Sequence, residues 1–214
     1  MHIIDYIKSL FNQKLETTDN NIEPMKKFLI VGLGNIGEKY LDTRHNIGFK
    51  ILDYFVKEES ISFETQKLGD IATYKFKGRT FILLKPNTFM NLSGKAVKYW
   101  MTKEKISIEN VLILCDDLNI PFGSLRLKPK GSAGGHNGLK DINDKLNTQQ
   151  YARLRFGVGN RFSKGRQSDY VLGKWNKEES LDLPLKLDKI AKIIVSFGLI
   201  GIAKTMNAFN KKKA

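Results

Sequence analysis

The sequence is poor in cysteine and histidine, with one cysteine and three histidines in 214 residues. Because Cys115 has no partner in the chain, an intrachain disulfide is excluded, which favours a reducing compartment. So few thiols and imidazoles also argue against a zinc site of the usual ligands. We therefore expect a protein without a bound metal.

Long apolar runs are also missing. The apolar N-terminal stretch IIDYIKSLF is interrupted by Asp5 and Lys8, and no small-residue cleavage site follows it. This pattern fits neither a membrane span nor a secretory leader. We expect a cytoplasmic protein that does not engage a membrane.

Acidic residues are scarce relative to basic ones, with 22 Asp and Glu against 36 Lys and Arg and a formal net charge of +14. Such an excess favours a polyanionic partner, either nucleic acid or an anionic surface. The stretch 121–175 alone carries eleven Lys and Arg against three Asp. A generally lysine-rich proteome would produce a similar excess, so charge alone does not decide the partner.

The first 24 residues differ from the rest in charge, with two lysines and four acidic residues. Apolar residues fall on one helical face there, which predicts a short helix followed by a polar linker. Met25 is an alternative start of the chain. We expect three segments: an N-terminal extension (1–24), one main domain (25–209) and a basic tail (210–214).

From residue 26 onward, apolar β-rich runs alternate with segments of helical periodicity. The strands are predicted at 27–33, 71–76, 80–84, 110–115 and 152–158, and the helices at 46–58, 88–103, 137–146 and 178–209. This alternation predicts a single α/β domain in which helices flank a mixed, twisted β-sheet.

A glycine-rich segment, GLGNIG (32–37), matches the dinucleotide-binding pattern GxGxxG. That fold also requires a second strand ending in an acidic residue about 20 residues further on. Here the corresponding region, IGFKILDYFVKEE, has helical periodicity, and Asp53 lies inside it. We therefore expect no dinucleotide and no other cofactor, and glycines that let the backbone bend and approach a ligand. A nucleotide-dependent enzyme is the alternative, and titration with NAD, NADP or FAD tests it.

Polar side chains collect in the loops that follow predicted strands. Because such loops meet at one edge of an α/β sheet, they are the expected binding region. The candidates are Asn35, Tyr40, Arg44, His45 and Asn46 in the first loop, Asn87, Met90 and Asn91 in the second, Asp116 and Asp117 in the third, and His136 and Asn137 in the glycine-rich loop.

Four separated motifs, in this order, resemble those of the bacterial peptidyl-tRNA hydrolases: GLGN-x-G with TRHN-x-G, TFMNLSGKA, DD-L-x-I-P-x-G and GSAGGHNGLKDI. The resemblance covers about residues 26–209. It implies the fold of that family. It also implies a monomeric enzyme that hydrolyses the ester between a peptide and the 3′ end of tRNA. The implied role is recycling of tRNA from prematurely released peptidyl-tRNA.

The resemblance also implies roles for individual residues. His45 is the expected general base, oriented by Asp116, and a histidine suits this task because it titrates near neutral pH. Asn35 is expected to orient the water and the ester. The implied peptide contacts are Tyr40, Met90, Asn91 and Asn137, and the implied clamp on the tRNA end phosphate is Lys128 and Arg155. A basic path through Lys130, Arg153, Arg161, Lys164 and Arg166 would extend it.

Plainer interpretations stay open for several of these residues. His45 and the asparagines are also suited to helix caps and turns, Tyr40 and Met90 to packing, and Asp117 competes with Asp116 for the histidine. We expect Cys115 to be a buried strand residue and His136 to hold the glycine-rich loop. Ser93 lies in NLSG rather than GxSxG, which argues against an acyl-enzyme. The alternative function is an RNA-binding relative that has lost turnover.

Overall fold

The computed structural model describes residues 26–210. The predicted N-terminal helix and linker, and most of the basic tail, lie outside the described residues. Those expectations stay predictions.

In the described part of the chain, seven strands form one mixed sheet in the order β2-β3-β4-β1-β5-β7-β6. The central strands β4, β1, β5 and β7 run parallel, whereas β2, β3 and β6 pair antiparallel at the two edges. The mixed sheet confirms the predicted fold class. The strands are β1 (Lys26–Gly32), β2 (Glu64–Gln66), β3 (Gly69–Phe76), β4 (Arg79–Lys85), β5 (Val111–Asp117), β6 (Leu125–Lys128) and β7 (Ala152–Gly157).

The helices cover both faces of this sheet. They are α1 (Ile47–Glu58), α2 (Ser93–Glu104), α3 (Asn137–Leu146), α4 (Gln167–Val171) and α5 (Lys177–Phe209). The four predicted helices are confirmed, except that a 3-10 turn, Met90–Leu92, replaces the predicted start of α2. The last helix is also broken at Gly201, whose φ of 76° is left-handed.

Two apolar layers stabilise the domain, one on each face of the sheet. Helices α1 and α5 cover one face, and α2 and α3 cover the other. All seven residues of β5 are buried, as expected for a parallel strand covered on both sides. Cys115 is fully buried in the layer beneath α2 and α3, which confirms its predicted place in a strand.

The glycine-rich segment serves mainly to pack α1 against β1. A Cβ built at Gly32 would lie 2.3 Å from the Gly48 carbonyl oxygen, and one at Gly34 would lie 2.7 Å from the Phe49 ring. The expectation that these glycines admit a ligand is therefore wrong for Gly32 and Gly34. Gly37 has open space around it but a φ of 103°, so it supplies the bend in the loop.

Strand β1 lies between β4 and β5 and runs parallel to both. The chain leaves β1 and β4 at the same edge of the sheet. After β1 it runs toward β2 on one side, and after β4 it runs toward β5 on the other side. Open α/β sheets have a crevice at such a switch point, outside the carboxyl ends of the strands. The candidate residues follow β1, β4 and β5, which places them around this crevice.

Candidate active site

A cleft of about 840 Å³ opens at the carboxyl edge of the sheet. Eight of the nine predicted site residues line it, and only Lys128 does not. The eight are Asn35, Tyr40, His45, Met90, Asn91, Asp116, Asn137 and Arg155.

His45 and Asp116 are in direct contact within the cleft. His45 lies in a 3-10 turn, Arg44–Asn46, just before α1, and Asp116 lies near the end of β5. The distance from His45 Nδ1 to Asp116 Oδ1 is 2.8 Å. The competing carboxylate, Asp117, instead accepts hydrogen bonds from the Asn119 backbone and from Arg155. Of the two aspartates, Asp116 is therefore the partner of the histidine.

The same carboxylate oxygen of Asp116 also contacts His136, whose Nε2 lies 3.0 Å away. Burial by itself would raise the pKa of Asp116, but the two neighbouring imidazoles, His136 and His45, outweigh it and lower that pKa below its ordinary value. Asp116 is therefore ionised at neutral pH and accepts a hydrogen bond from each ring.

His136 has a second set of contacts that fixes its tautomer. Its Nδ1 accepts hydrogen bonds from the backbone N–H groups of Gly138 and Leu139, at 3.1 and 3.3 Å, and so caps α3. The proton of the neutral ring must then lie on Nε2, where it is donated to Asp116. This cap agrees with the expected structural role of His136, whereas the contact with Asp116 was not predicted.

One ligand atom each from His45, Asp116 and His136 lies within 4.8 Å of the others, close enough to consider a metal ion. However, His136 Nε2 carries a proton as long as Nδ1 accepts from two backbone N–H groups. Coordination through Nε2 would move that proton to Nδ1 and break the helix cap. The cluster therefore fits a hydrogen-bonded network better than a metal site.

Asn35, which lines the cleft, is held by hydrogen bonds to its backbone and to its side-chain oxygen. Its backbone N–H and C=O pair with the side chain of Asn46 at 2.9 and 2.8 Å, and its Oδ1 accepts from the Met90 N–H at 2.8 Å. Asn35 Nδ2 has no hydrogen-bond partner among residues 26–210. The buried Asn46 thus fixes the loop, a structural role that the sequence did not indicate.

Arg44 anchors the turn that carries His45. Its Nη2 lies 2.7 Å from Glu179 Oε2, and its Nη1 donates to the Lys174 carbonyl at 2.8 Å. Glu179 also forms a capping box with Asn176 at the start of α5. Because Arg44 and Glu179 are 135 residues apart in the chain, no local sequence pattern could have paired them.

The mouth of the cleft combines amide and apolar side chains. Asn91 and Asn137 are exposed, whereas Met90 is only 4% exposed. Phe89 and Leu172 also line the cleft and are 50% and 37% exposed, although both are large and apolar. Neither was predicted, since only their position in loops distinguishes them from core residues. The cleft is therefore lined by exposed apolar side chains as well as by the polar His45 and Asp116.

Ser93 is unsuited to act as a nucleophile. It is fully buried, and its Oγ donates to the Met90 carbonyl at 2.8 Å. This agrees with the expectation, drawn from the missing GxSxG motif, that the serine does not form an acyl-enzyme.

The predicted basic residues differ in how accessible their side chains are to a phosphate. Lys128 is exposed on the edge strand β6, whereas Arg155 donates to Asp117 at 2.9 Å and to the Ser132 carbonyl at 2.7 Å. Arg153 is fully buried, donates to the carbonyls of Ser132 and Gln149, and so cannot contact a phosphate. Its predicted place in the basic path is therefore wrong.

The mixed sheet with its parallel centre, the switch-point crevice and the His45–Asp116 pair define an α/β protein with an enzyme-like cleft. The family model described as peptidyl-tRNA hydrolase matches residues 29–214. The chain belongs to the peptidyl-tRNA hydrolase family, and the protein is a hydrolase of that class.

Relatives of known name agree with this placement. Peptidyl-tRNA hydrolases of Bacteroides fragilis and Parabacteroides distasonis are 57% and 56% identical to this chain, each over 87% of it and 100% of their own length. A crystal structure of the Acinetobacter baumannii peptidyl-tRNA hydrolase matches with a TM-score of 0.81 and 34% identity, covering 89% of this chain and 98% of that one.

Across residues 26–210, no helix is both long and apolar enough to cross a membrane.

Proposed function

We propose that the protein hydrolyses the ester between a peptide, or an N-blocked aminoacyl group, and the 3′ end of tRNA, with His45 as the general base. The observation that carries this proposal is the 2.8 Å contact of His45 Nδ1 with the buried carboxylate of Asp116. This contact holds the proton on Nδ1, so Nε2 is left with a lone pair. Among the described residues, Nε2 has no hydrogen-bond partner, which leaves it available to a water molecule.

In the proposed reaction, Nε2 of His45 takes a proton from water as the water oxygen attacks the ester carbonyl. The ionised Asp116 stabilises the resulting imidazolium. When the tetrahedral intermediate collapses, the C–O bond to the ribose breaks and His45 returns the proton to the leaving 3′ oxygen. The products are a free carboxylic acid and a tRNA that can be charged again, which recycles tRNA from prematurely released peptidyl-tRNA.

The side chains around His45 are assigned to the substrate by their position in the cleft. Asn35 Nδ2 would donate to the ester carbonyl oxygen and the attacking water, since Oδ1 is already occupied by the Met90 N–H. Asn91 and Asn137, which are exposed at the mouth, would bind peptide backbone groups. Tyr40 and Met90 would contact the peptide by packing.

The tRNA end phosphate is assigned to Lys128 and Arg155. Register places Arg126 opposite Arg155 on β7, and Lys128 lies two residues further along β6, so these three side chains lie on one face of the sheet. A phosphate bound there would meet a positive potential, partly offset by the ion pair of Arg155 with Asp117. Contacts of this kind position the RNA without reading its sequence.

The direct test is release of the blocked amino acid from N-acetyl-aminoacyl-tRNA by the native protein. The proposal expects multiple turnovers at neutral pH. The competing function, RNA binding by a relative that has lost turnover, expects a tRNA complex and no release. Saturable binding of NAD, NADP or FAD would instead revive the nucleotide-dependent alternative.

The remaining expectations are that the enzyme is a cytoplasmic monomer and needs neither metal nor cofactor. The hydrogen-bonded state of His136 supports metal-independent chemistry, since Nε2 is protonated. Activity that survives EDTA, and a sedimentation coefficient of a 24.4 kDa particle, are the expected results. Loss of activity on chelation, restored by a divalent ion, would contradict the first of these.

A further inference from the structure

Strand β6, which carries Lys128, is a four-residue edge strand, and within residues 26–210 its only neighbour in the sheet is β7. In an antiparallel pair, alternate residues turn their backbone N–H and C=O groups toward and away from the partner strand. Ser124, just before β6, bonds with Gly157 of β7. Because this pattern alternates, the backbone N–H and C=O groups of Arg126 and Lys128 point toward β7. Those of Leu127, which lies between them, point away from β7.

The backbone N–H and C=O of Leu127 that point away from β7 are both hydrogen-bonded to the side chain of Asn210. The Leu127 N–H donates to Asn210 Oδ1 at 3.0 Å, and Asn210 Nδ2 donates to the Leu127 carbonyl at 2.7 Å. The amide thus makes both hydrogen bonds that a further strand would make at this position. Asn210 directly follows α5, so the end of that helix is joined to the outer edge of the sheet.

We propose that Asn210 is a positioning residue for tRNA binding, because it holds the part of β6 that presents Lys128 to the phosphate. Leu127 is fully buried and lies between the two exposed cations of the strand, Arg126 and Lys128. With β7 bonding to one edge and Asn210 to the other, the backbone on both sides of Leu127 is fixed. A short strand held on one edge only would hold its lysine less firmly. This inference rests on the proposed assignment of Lys128 to the tRNA phosphate.

The test compares two substrates, N-acetyl-aminoacyl-tRNA with its 5′ phosphate and the same molecule after dephosphorylation. Asn210→Ala removes both bonds to Leu127 and leaves every cleft residue unchanged. We expect the KM for the phosphorylated substrate to rise about threefold to tenfold, the loss typical of one or two neutral hydrogen bonds. The kcat and the KM for the dephosphorylated substrate should not change.

Asn207→Ala, an exposed asparagine of the same helix, is the matched control and should leave both KM values unchanged. In a Lys128→Ala background, Asn210→Ala should add no further effect. An equal rise in KM for both substrates would mean that Asn210 only stabilises the fold, and would overturn the proposal. An unchanged KM in Asn210→Ala, with a raised one in Lys128→Ala, would also overturn it. If Lys128→Ala itself has no effect, the phosphate assignment has failed, and the inference fails with it.

Discussion

At the residue scale, two imidazoles in the cleft share one carboxylate oxygen. Asp116 Oδ1 accepts from His45 at 2.8 Å and from His136 at 3.0 Å. His136 is in turn fixed by the N-terminal N–H groups of α3. The orientation of His45 is therefore linked to the position of a helix that also carries Asn137.

The lowered pKa of Asp116 predicts a pH-dependent contribution to stability. As pH falls below the ordinary value of about 3.8, the unfolded chain binds the proton before the folded one does. The ionised side chain therefore stabilises the fold above about pH 4, and this contribution is lost at lower pH. We expect the difference in unfolding free energy between the native protein and Asp116→Asn to narrow as pH falls from 5 toward 3.

Urea denaturation between about pH 7 and pH 3 measures this difference. Asp144→Asn, at an exposed position of α3, is the control and should follow the native protein across the whole range. Parallel curves for the native protein and Asp116→Asn would show that the pKa of Asp116 is not lowered on folding.

Asn35 allows its two hydrogen-bonding roles to be separated. Asn35→Asp keeps an oxygen to accept from the Met90 N–H but removes the Nδ2 donor, whereas Asn35→Ala removes both. If Nδ2 stabilises the transition state, kcat falls about 10²–10³-fold in both variants, the usual cost of losing such a donor. Single-turnover rates of the native protein and the two variants measure this loss, and their melting temperatures show whether the variants remain folded. Near-native rates in Asn35→Asp would assign Asn35 to loop structure alone.

Sequence patterns identified the polar residues of the cleft, and the family resemblance implied that Asp116 orients His45, but the other contacts in the cleft were not predicted. His45 and Asp116 stood out because both lie in loops or strand ends next to glycine-rich or apolar segments. The contact of Asp116 with His136 and the pairing of Arg44 with Glu179 are long-range, and they depend on how the elements pack. Burial of Arg153 was missed for the same reason, since it depends on β7 lying between β5 and β6 and on the Ser132 and Gln149 carbonyls that accept from the guanidinium.

At the scale of elements, the junction of α1 with β1 determines where the loop of His45 begins and ends. Gly48 lies directly against the strand, since a Cβ there would be 2.3 Å from the Leu33 nitrogen and 2.5 Å from its carbonyl oxygen. These neighbours are backbone atoms and cannot rotate away. No side chain fits between this helix and strand without moving one of them.

Gly48→Ala is therefore expected to lower the free energy of unfolding by at least about 1–3 kcal/mol, the usual cost of overpacking. Lys57→Ala, on an exposed position of the same helix, serves as the control and should change it by less than about 0.5 kcal/mol. Urea denaturation gives both values. Equal stabilities for the two variants would mean that α1 moves away from β1 at little cost.

The long elements were predictable and the short ones were not. The buried strands are continuous apolar runs and the four longer helices have helical periodicity, and these patterns indicate their type and approximate ends. Strand β2 is exposed at all three residues, and β6 has a single buried residue, so neither carries such a pattern. The break in α5 occurs at Gly201 in an otherwise apolar stretch, where the sequence continues the helical pattern.

At the scale of the whole molecule, the excess of positive charge predicts that tRNA binding depends on salt. Each Lys or Arg that neutralises a phosphate releases counterions, so the logarithm of affinity falls linearly with the logarithm of salt concentration. We expect Lys128→Ala to weaken tRNA binding and to reduce that slope by about one. Lys57→Ala, far from the assigned clamp in sequence and element, should leave the slope unchanged. A Kd that does not vary with salt would contradict the electrostatic account.

The central claim is that His45 removes a proton from the attacking water. The most direct measurement is the single-turnover rate of N-acetyl-aminoacyl-tRNA hydrolysis by the native protein and by His45→Ala, with the Kd for tRNA measured in parallel. The account predicts that the rate falls about 10²–10⁴-fold in the variant while the Kd is nearly unchanged. Equal rates in the two proteins would contradict it and remove His45 from the reaction.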